Sequence, residues 1–130
     1  MASFASRAPA LSGVLALGDN FYNLGLCNRR TLAPYNATCN VTSPLAGTAR
    51  DPRLRAGFEA VYGAARPKLS KLPFYVIAGN HDALGNVSAS IAYTALSPGA
   101  QWRHPDFYYR LQVVGSADLF MLDATICYGI

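Results

Sequence analysis

Two short apolar runs along the chain each end at a glycine that polar side chains follow. Val14–Leu17 runs into Gly18-Asp19, and residues 74–78 run into Gly79-Asn80. An apolar run of this length that ends at glycine predicts a buried strand breaking into a loop. In open α/β sheets, ligands collect where strands end at their carboxyl side. The pattern therefore predicts two strand-end loops whose polar side chains can jointly hold metal ions.

The segment between these loops predicts one helix. Asp51-Pro52 suits a helix start, with Asp as N-cap and Pro in the first turn, and the helix should end before Pro67. Four apolar residues then recur at the spacing of one helical face. These residues are Leu54, Phe58, Val61 and Tyr62. We expect this face to pack on the sheet.

The rest of the chain predicts a mixed α/β pattern around a long loop. Residues 23–50 are rich in Asn, Thr, Pro, Ser and Gly without a period, which indicates a surface loop. A short helix is expected over about 87–95, with Ile91 facing inward. Two later strands are expected over 107–114 and 119–123, joined by a Gly115-Ser116 turn.

Composition limits the class of protein without defining its activity. A chain of 130 residues is one domain at most, and with 52% hydrophobic and 14% charged residues it can bury a core. Its net charge of +4 includes a basic stretch formed by Arg50, Arg53, Arg55, Arg66, Lys68 and Lys71. Such a stretch can attract phosphate or nucleic acid. Apolar residues interrupt it at helical spacing, so we interpret it as a solvated helix face and expect no nucleic-acid partner. No segment is long enough to span a membrane.

Cysteines and glycosylation triplets together indicate an oxidising compartment. Cys27 and Cys39 flank a polar loop and are the better pair for a disulfide, which leaves Cys127 without a partner. Three Asn-X-Ser/Thr triplets start at Asn36, Asn40 and Asn86. Each triplet is weak alone, but with the cysteine pair they favour secretion. Residues 8–17 feed directly into the first predicted strand, so we do not interpret them as a signal peptide.

The first loop carries two candidate metal ligands. The Asp19 carboxylate can be shared by two cations, which neutralise a charge that is costly to bury, although an Asp after Gly more often caps a turn. A phenol normally ionises near pH ~10, so Tyr22 suits only a strong Lewis acid such as Fe(III), which favours the phenolate. A Tyr with its hydroxyl in water is the ordinary alternative.

The second loop offers a neutral ligand and a candidate acid. The Asn80 amide can bind a divalent ion, and the His81 imidazole can bind a phosphoryl oxygen or protonate a leaving alkoxide. Asp82 can orient that imidazole. The ordinary alternatives are an Asn in a left-handed turn and a local His-Asp hydrogen bond. His104 lacks such a context, and we expect it at the surface. The two loops together favour a metal centre more strongly than either alone.

The motifs in these loops resemble those of the purple acid phosphatases, in particular their low-molecular-weight, tartrate-resistant type. The resemblance rests on residues 18–22 and 75–82 and continues through residues 84–93, 107–111 and 120–123. These enzymes belong to the calcineurin-like metallophosphoesterases, whose domain is a four-layer α/β/β/α sandwich. The resemblance therefore implies that residues 1–130 are part of such a domain, with an inserted loop at about 23–50.

The resemblance also implies roles for individual residues. Asp19 would bridge Fe(III) and a divalent ion (Zn, Fe or Mn), Tyr22 would bind Fe(III), and Asn80 would bind the divalent ion. His81 would help to bind phosphate and to protonate the leaving group of a phosphate monoester, with the metals activating a hydroxide for in-line attack. Asn86 matches a family glycosylation site, and Cys127 matches a cysteine whose partner lies further along. The family's full-length members are secreted or lysosomal/vacuolar.

Departures from the family pattern leave two other interpretations open. The family has an earlier Asp and three later His that this sequence lacks, so we expect an enzyme fragment with little or no activity alone. A protein Ser/Thr phosphatase is the second enzyme interpretation. It would carry an acidic-Arg-Gly continuation where Phe21-Tyr22 stands, which argues against it. A non-catalytic, secreted glycoprotein module that retains the fold is the alternative outside enzymes. The oligomeric state and the physiological substrate stay open.

Overall fold

A parallel sheet organises the fold in the computed structural model, which describes residues 11–28, 39–113 and 117–128. Its strands are β1 (Val14–Leu17), β2 (Phe74–Ile77) and β3 (Trp102–Arg103), in the order β1-β2-β3. Leu17 of β1 lies opposite Ile77 of β2, so both strands end at the same edge of the sheet. The two glycine loops therefore leave the sheet side by side, as the sequence predicts.

The helix after Asp51 is more irregular than the sequence predicts. Helix α1 (residues 52–62) has a wide central turn over Arg55–Glu59, in which the Ala60 N–H donates to the Arg55 carbonyl. A turn of this width rotates the following residues relative to a regular helix. Val61 is therefore 43% exposed and does not share the buried face. The helix ends at Gly63, which confirms the expected end before Pro67.

Two short helices follow β2. Helix α2 (Asn80–Ala83) begins directly after Gly79, and helix α3 (Val87–Tyr93) follows it. The buried residues of α3 are Ala89, Ser90 and Tyr93. Ile91, which was expected to face inward, is partly buried. Single-turn 3₁₀ segments occupy Pro98–Ala100 and Ala124–Tyr128.

Aromatic rings from the sheet and the helices form the core. Phe58 of α1 packs edge-on against Trp102 and Phe74, with ring centroids 4.8 and 5.1 Å apart. Edge-to-face pairs of this kind are favourable beyond the area that they bury. The indole N–H of Trp102 donates to the Ser90 carbonyl, which satisfies the buried polar end of the ring. The other buried members of the cluster are Leu26, Leu54, Val76, Ala89 and Tyr93.

A separate antiparallel hairpin completes the described strands. It consists of β4 (Tyr108–Val113) and β5 (Ala117–Leu122), and the predicted Gly115-Ser116 turn lies outside the described residues. The Tyr109 hydroxyl donates to the Val76 carbonyl and joins the hairpin to the parallel sheet. Large apolar side chains stay exposed on these elements, among them Leu17, Phe120 and Leu122. The mixture of parallel sheet, hairpin and helices confirms the α/β class.

The loop between β1 and α1 is more than surface decoration. The predicted Cys27–Cys39 disulfide is confirmed, with Cα atoms 6.0 Å apart, and Cys127 is exposed and free. Leu26 and Ala46 are buried together with both bridged cysteines, so the ends of the loop belong to the folded body. Residues 29–38, which include the candidate acceptor Asn36, lie outside the described residues.

His104 is buried, and the expectation of a surface position is wrong. Only 1% of the residue is exposed, and its Nδ1 lies 2.8 Å from the Ser90 hydroxyl of α3. Its Nε2 has no hydrogen-bond partner among the described residues. His104 directly follows β3 and is buried like Trp102, two residues before it. Burial lowers the pKa of His104 to about 4, although the charges of Asp123 and Asp106 oppose the shift.

The buried imidazole predicts a loss of stability in acid. The unfolded chain binds a proton near pH ~6.5 and the folded chain only near pH 4, so stability falls as pH drops through this window. Between pH ~7 and ~4.5 the loss attributable to His104 is on the order of 2–3 kcal/mol. Urea unfolding at both pH values should show a shallower loss for His104→Gln than for the native chain. Equal losses in the two proteins would contradict this assignment.

Candidate metal centre

The two glycine loops touch through their main chains. Gly18 and Asp19 both have positive φ, 96° and 51°, which turns the chain sharply after β1. A Cβ built on Gly79 would lie 2.4 Å from both the backbone nitrogen and Oδ1 of Asp19. No side chain fits at Gly79, although its own φ of −113° suits any residue. Close approach, rather than backbone freedom, therefore requires glycine there.

The Asp82 carboxylate joins the loops. It is buried and accepts hydrogen bonds from the backbone N–H groups of Asn20, Phe21 and Gly79, each at 3.0 Å. The side-chain amide of Asn20 donates to the same carboxylate at 2.9 Å and also to the Ile77 carbonyl. Hydrogen bonds to an ionised acceptor are among the stronger kind. Asp82 is therefore the main polar link between the end of β1 and the start of α2.

The link brings three predicted site residues into contact. The Tyr22 hydroxyl donates to Asp19 Oδ2 at 3.0 Å, and the backbone N–H of His81 donates to Asp19 Oδ1 at 3.1 Å. The Tyr22 and His81 rings lie 4.5 Å apart, centroid to centroid. A carboxylate, a phenol and an imidazole thus meet at one edge of the sheet. Tyr22 is 65% exposed, so solvent reaches this group freely.

Without a cation, the pair of Asp19 and Tyr22 favours the neutral phenol. The hydrogen bond to Asp19 raises the pKa of Tyr22, and loss of solvation and the charges of Asp19 and Asp82 act in the same direction. A trivalent cation bound to both oxygens would reverse this preference, because its charge favours the phenolate. Binding of such a cation would therefore change the protonation of Tyr22.

His81 is oriented by main chain rather than by Asp82. Its Nδ1 lies 2.7 Å from the carbonyl oxygen of Asn23, and a carbonyl can only accept. Nδ1 therefore carries the proton, and Nε2 is the atom that faces away from this contact. The expectation that Asp82 orients the imidazole is wrong, because the Asp82 oxygens are engaged by Asn20, Phe21 and Gly79. Asp82 supports the site through the loops instead.

Asn80 adjoins this group through the chain. It stands between Gly79 and His81, whose main chains both approach Asp19. Its exposed side chain lines an apolar groove with Leu17 and Phe120, and among the described residues no hydrogen bond ties it to Asp19, Tyr22 or His81. Of the four candidate site residues on the two loops, the structure thus brings Asp19, Tyr22 and His81 together. The Asn80 amide lies beside them and is open to solvent.

The donors present suit a hard cation. Ligand oxygens about 2.0–2.1 Å from an octahedral ion stand roughly 2.9 Å apart on adjacent corners. The Tyr22 and Asp19 oxygens, which share a hydrogen bond at 3.0 Å, already lie close to this spacing, and the Asn80 side chain is exposed beside them. Among the described residues no group of three or more His, Cys, Asp and Glu side chains gathers. The residues therefore fit part of a coordination sphere.

Other predicted residues lie outside this centre. Asn40 and Asn86 are exposed, and the Asn86 amide donates to the Gly47 carbonyl at 2.9 Å.

Sequence reasoning missed Asn20 and Phe21, whose N–H groups hold Asp82, although both lie inside the first motif. The Phe21 ring also contacts Trp102, with centroids 5.9 Å apart. The position of Asn20 and Phe21 between the candidate ligands Asp19 and Tyr22 could have indicated that they anchor this loop.

Comparison with known proteins finds similar proteins that are all acid phosphatases. No protein-family model matches it. Tartrate-resistant acid phosphatase type 5 from Sus scrofa and from Homo sapiens are each 38% identical over 120 residues, or 88% of this chain. The protein of that name from Rattus norvegicus is 36% identical over 121 residues, or 89% of the chain. The resemblance expected from the two motifs is confirmed.

Over the part that it spans, the chain is similar to purple acid phosphatases. The similar proteins are all tartrate-resistant acid phosphatases of type 5. The chain spans 28% of the pig protein's length and 30% of the human and rat proteins' lengths. None of the helices in the described ranges has the length and hydropathy needed to cross a bilayer.

Gly79→Ala tests the close approach of the loops. The new methyl group would overlap the backbone nitrogen and carboxylate of Asp19, so the loops must separate. We expect a loss of about 1–3 kcal/mol in the free energy of unfolding, measured by urea denaturation. Gly57→Ala is the matched control, because its Cβ would meet Phe21 at an ordinary 3.5 Å and should stabilise α1 slightly. A Gly79→Ala protein as stable as the native chain would contradict the described packing.

Proposed function

We propose that this chain carries part of the active site of an acid phosphatase that hydrolyses phosphate monoesters at a binuclear metal centre. One observation carries the proposal: the Tyr22 hydroxyl and the Asp19 carboxylate meet at 3.0 Å, beside His81, where two strands end. The relatives' name as acid phosphatases supports the same reaction class. Because those relatives are enzymes, a non-catalytic module is not favoured.

The proposed metal ligands divide between the two loops. Asp19 would bridge Fe(III) and a divalent ion (Zn, Fe or Mn), Tyr22 would bind the Fe(III), and Asn80 would bind the divalent ion. When bound, such a pair of ions supplies positive charge to the phosphate ester and lowers the pKa of a water molecule. Both Asp19 oxygens are directed by hydrogen bonds, from Tyr22 and from the His81 main chain. This fixed carboxylate supports the bridging role.

His81 is the proposed acid. With the proton of Nδ1 directed at the Asn23 carbonyl, Nε2 is the atom that takes up a second proton. In that imidazolium form Nε2 would donate to a phosphoryl oxygen or pass its proton to the leaving alkoxide, which returns His81 to the neutral Nδ1–H form. The Tyr22 ring lies against the imidazole and limits its rotation. Asp82 has an indirect role, since it holds the loops that carry Asp19 and His81.

The wider architecture and location are part of the proposal. Residues 1–130 would form part of one metallophosphoesterase domain, a four-layer α/β/β/α sandwich in which residues 23–50 are an inserted loop. Exposed apolar side chains on β1 and β5 support further layers, because Leu17 and Phe120 are 74% and 68% exposed. The disulfide supports a secreted or lysosomal/vacuolar location. The proposal also includes glycans at Asn36, Asn40 and Asn86.

The 130-residue chain alone should bind metal weakly and hydrolyse little p-nitrophenyl phosphate. Supplying the rest of the domain should restore the reaction. In an exchange protein, this chain replaces the matched segment of the pig relative. We expect that protein to be active and expect His81→Asn in it to lower kcat by roughly 10²–10⁴-fold.

His104→Gln in the exchange protein is the control, because this second histidine is buried away from the loops and should leave kcat nearly unchanged. Full activity of the His81→Asn exchange protein would overturn the proposed role of His81. Tight binding of two metal ions and rapid hydrolysis by the isolated chain would overturn its expected inactivity.

A further inference from the structure

We propose that Arg53 is a positioning residue for His81, acting through the backbone of residues 23–27. The role rests on the proposed function, since it matters only where His81 handles a phosphate. Arg53 does not contact His81. It binds the main chain of the turn that carries the Asn23 carbonyl. That carbonyl determines which ring nitrogen of His81 carries the proton. Composition suggested that Arg53 belongs to a solvated basic face, and the structure contradicts that interpretation for this residue.

The Arg53 guanidinium joins α1 to the loop. It donates to the carbonyl oxygens of Gly25 and Cys27, both at 2.7 Å. On its other side it makes a forked contact with Asp51, at 2.9 Å from Nε and 2.6 Å from Nη2. Asp51 is fully buried and also accepts from the N–H of Gly47. Burial would raise the pKa of Asp51, but the hydrogen bonds from Arg53 and Gly47 outweigh it and leave the pKa lowered.

The backbone that Arg53 binds lies in close contact with the backbone of His81 and Asp82. Gly25 has a φ of +54°, and a Cβ on it would lie 2.5 Å from the Asp82 carbonyl and 2.9 Å from that of His81. The next residue, Leu26, accepts from the Asn86 N–H at 3.2 Å. The Gly25 N–H donates back to Phe21 and closes the turn that contains Asn23. Residues 21–27 are thus clamped between Arg53 and the start of α2.

The clamped turn determines which nitrogen of His81 is free. The Asn23 carbonyl requires a proton on Nδ1, whereas a histidine without such a contact favours the proton on Nε2. Asn23 is exposed, so its position depends on the residues behind it. The partner of Nδ1 is main chain, so no substitution at position 23 removes it. Arg53 is the side chain that holds the main chain of Gly25 and Cys27 behind this carbonyl.

Only an arginine supplies this set of contacts. Two carbonyls and two carboxylate oxygens require a planar fork with several donors, which a lysine ammonium does not offer. Arg55, two residues away, provides the contrast. Its side chain is 82% exposed and makes one long contact with Glu59, at 3.8 Å. A difference between variants at these two positions therefore reports the clamp rather than general loss of positive charge.

The tautomer of His81 is measured directly by ¹⁵N NMR on the 130-residue chain labelled at histidine, at about pH 8.5, where imidazole is neutral. The chain has only two histidines, and His81→Asn assigns the signals. The native chain is expected to hold His81 mainly in the Nδ1–H form. A His81 that is mainly Nε2–H in the native chain would overturn the proposal without any variant at position 53.

Arg53→Ala and Arg53→Lys are each expected to lower the Nδ1–H share of His81 by about half or more, because neither holds both carbonyls. Arg55→Ala should leave it unchanged, and the His104 signals report whether the core stays folded. An unchanged His81 tautomer in folded Arg53→Ala or Arg53→Lys would overturn the proposal. A shifted tautomer combined with an inactive exchange protein would remove the phosphatase proposal and keep the positioning role.

Discussion

The Asp82 carboxylate is the interaction on which the site depends. It gathers N–H groups from two loops that are about sixty residues apart in sequence, and it does so while buried. An unpaired buried charge would be costly, so the loops are stable only when they lie side by side. Gly79 then permits contact with Asp19 that no other residue allows. Asp19, Tyr22 and His81 meet as a consequence of this arrangement.

Much of this arrangement follows from local rules in the sequence. Apolar runs that end in glycine predicted β1 and β2, and the parallel pairing of neighbouring strands placed their ends together. The pairing of Cys27 with Cys39 followed from their positions around a polar loop. The motif resemblance to purple acid phosphatases is confirmed by the acid phosphatase relatives, over the part of their length that the chain spans.

Other features depend on contacts that no local pattern contains. The wide turn in α1 moved Val61 outward, although its spacing fits a regular helix. His104 is buried because Ser90 of α3 lies opposite it, which only the tertiary fold determines. Arg53 looked like one of several surface cations until its guanidinium met the carbonyls of Gly25 and Cys27. Side chains that bond to distant main chain leave no periodic signal in the sequence.

In our proposal, Asp19 and Tyr22 form one binding position for a trivalent metal ion. Titration of the chain with Fe(III), followed by visible absorption, tests this directly, because phenolate bound to Fe(III) gives a charge-transfer band. We expect a band that is lost in Tyr22→Phe and kept in Tyr108→Phe, a similarly exposed tyrosine on the hairpin. A band that survives Tyr22→Phe, or no band in the native chain at saturating Fe(III), would contradict it.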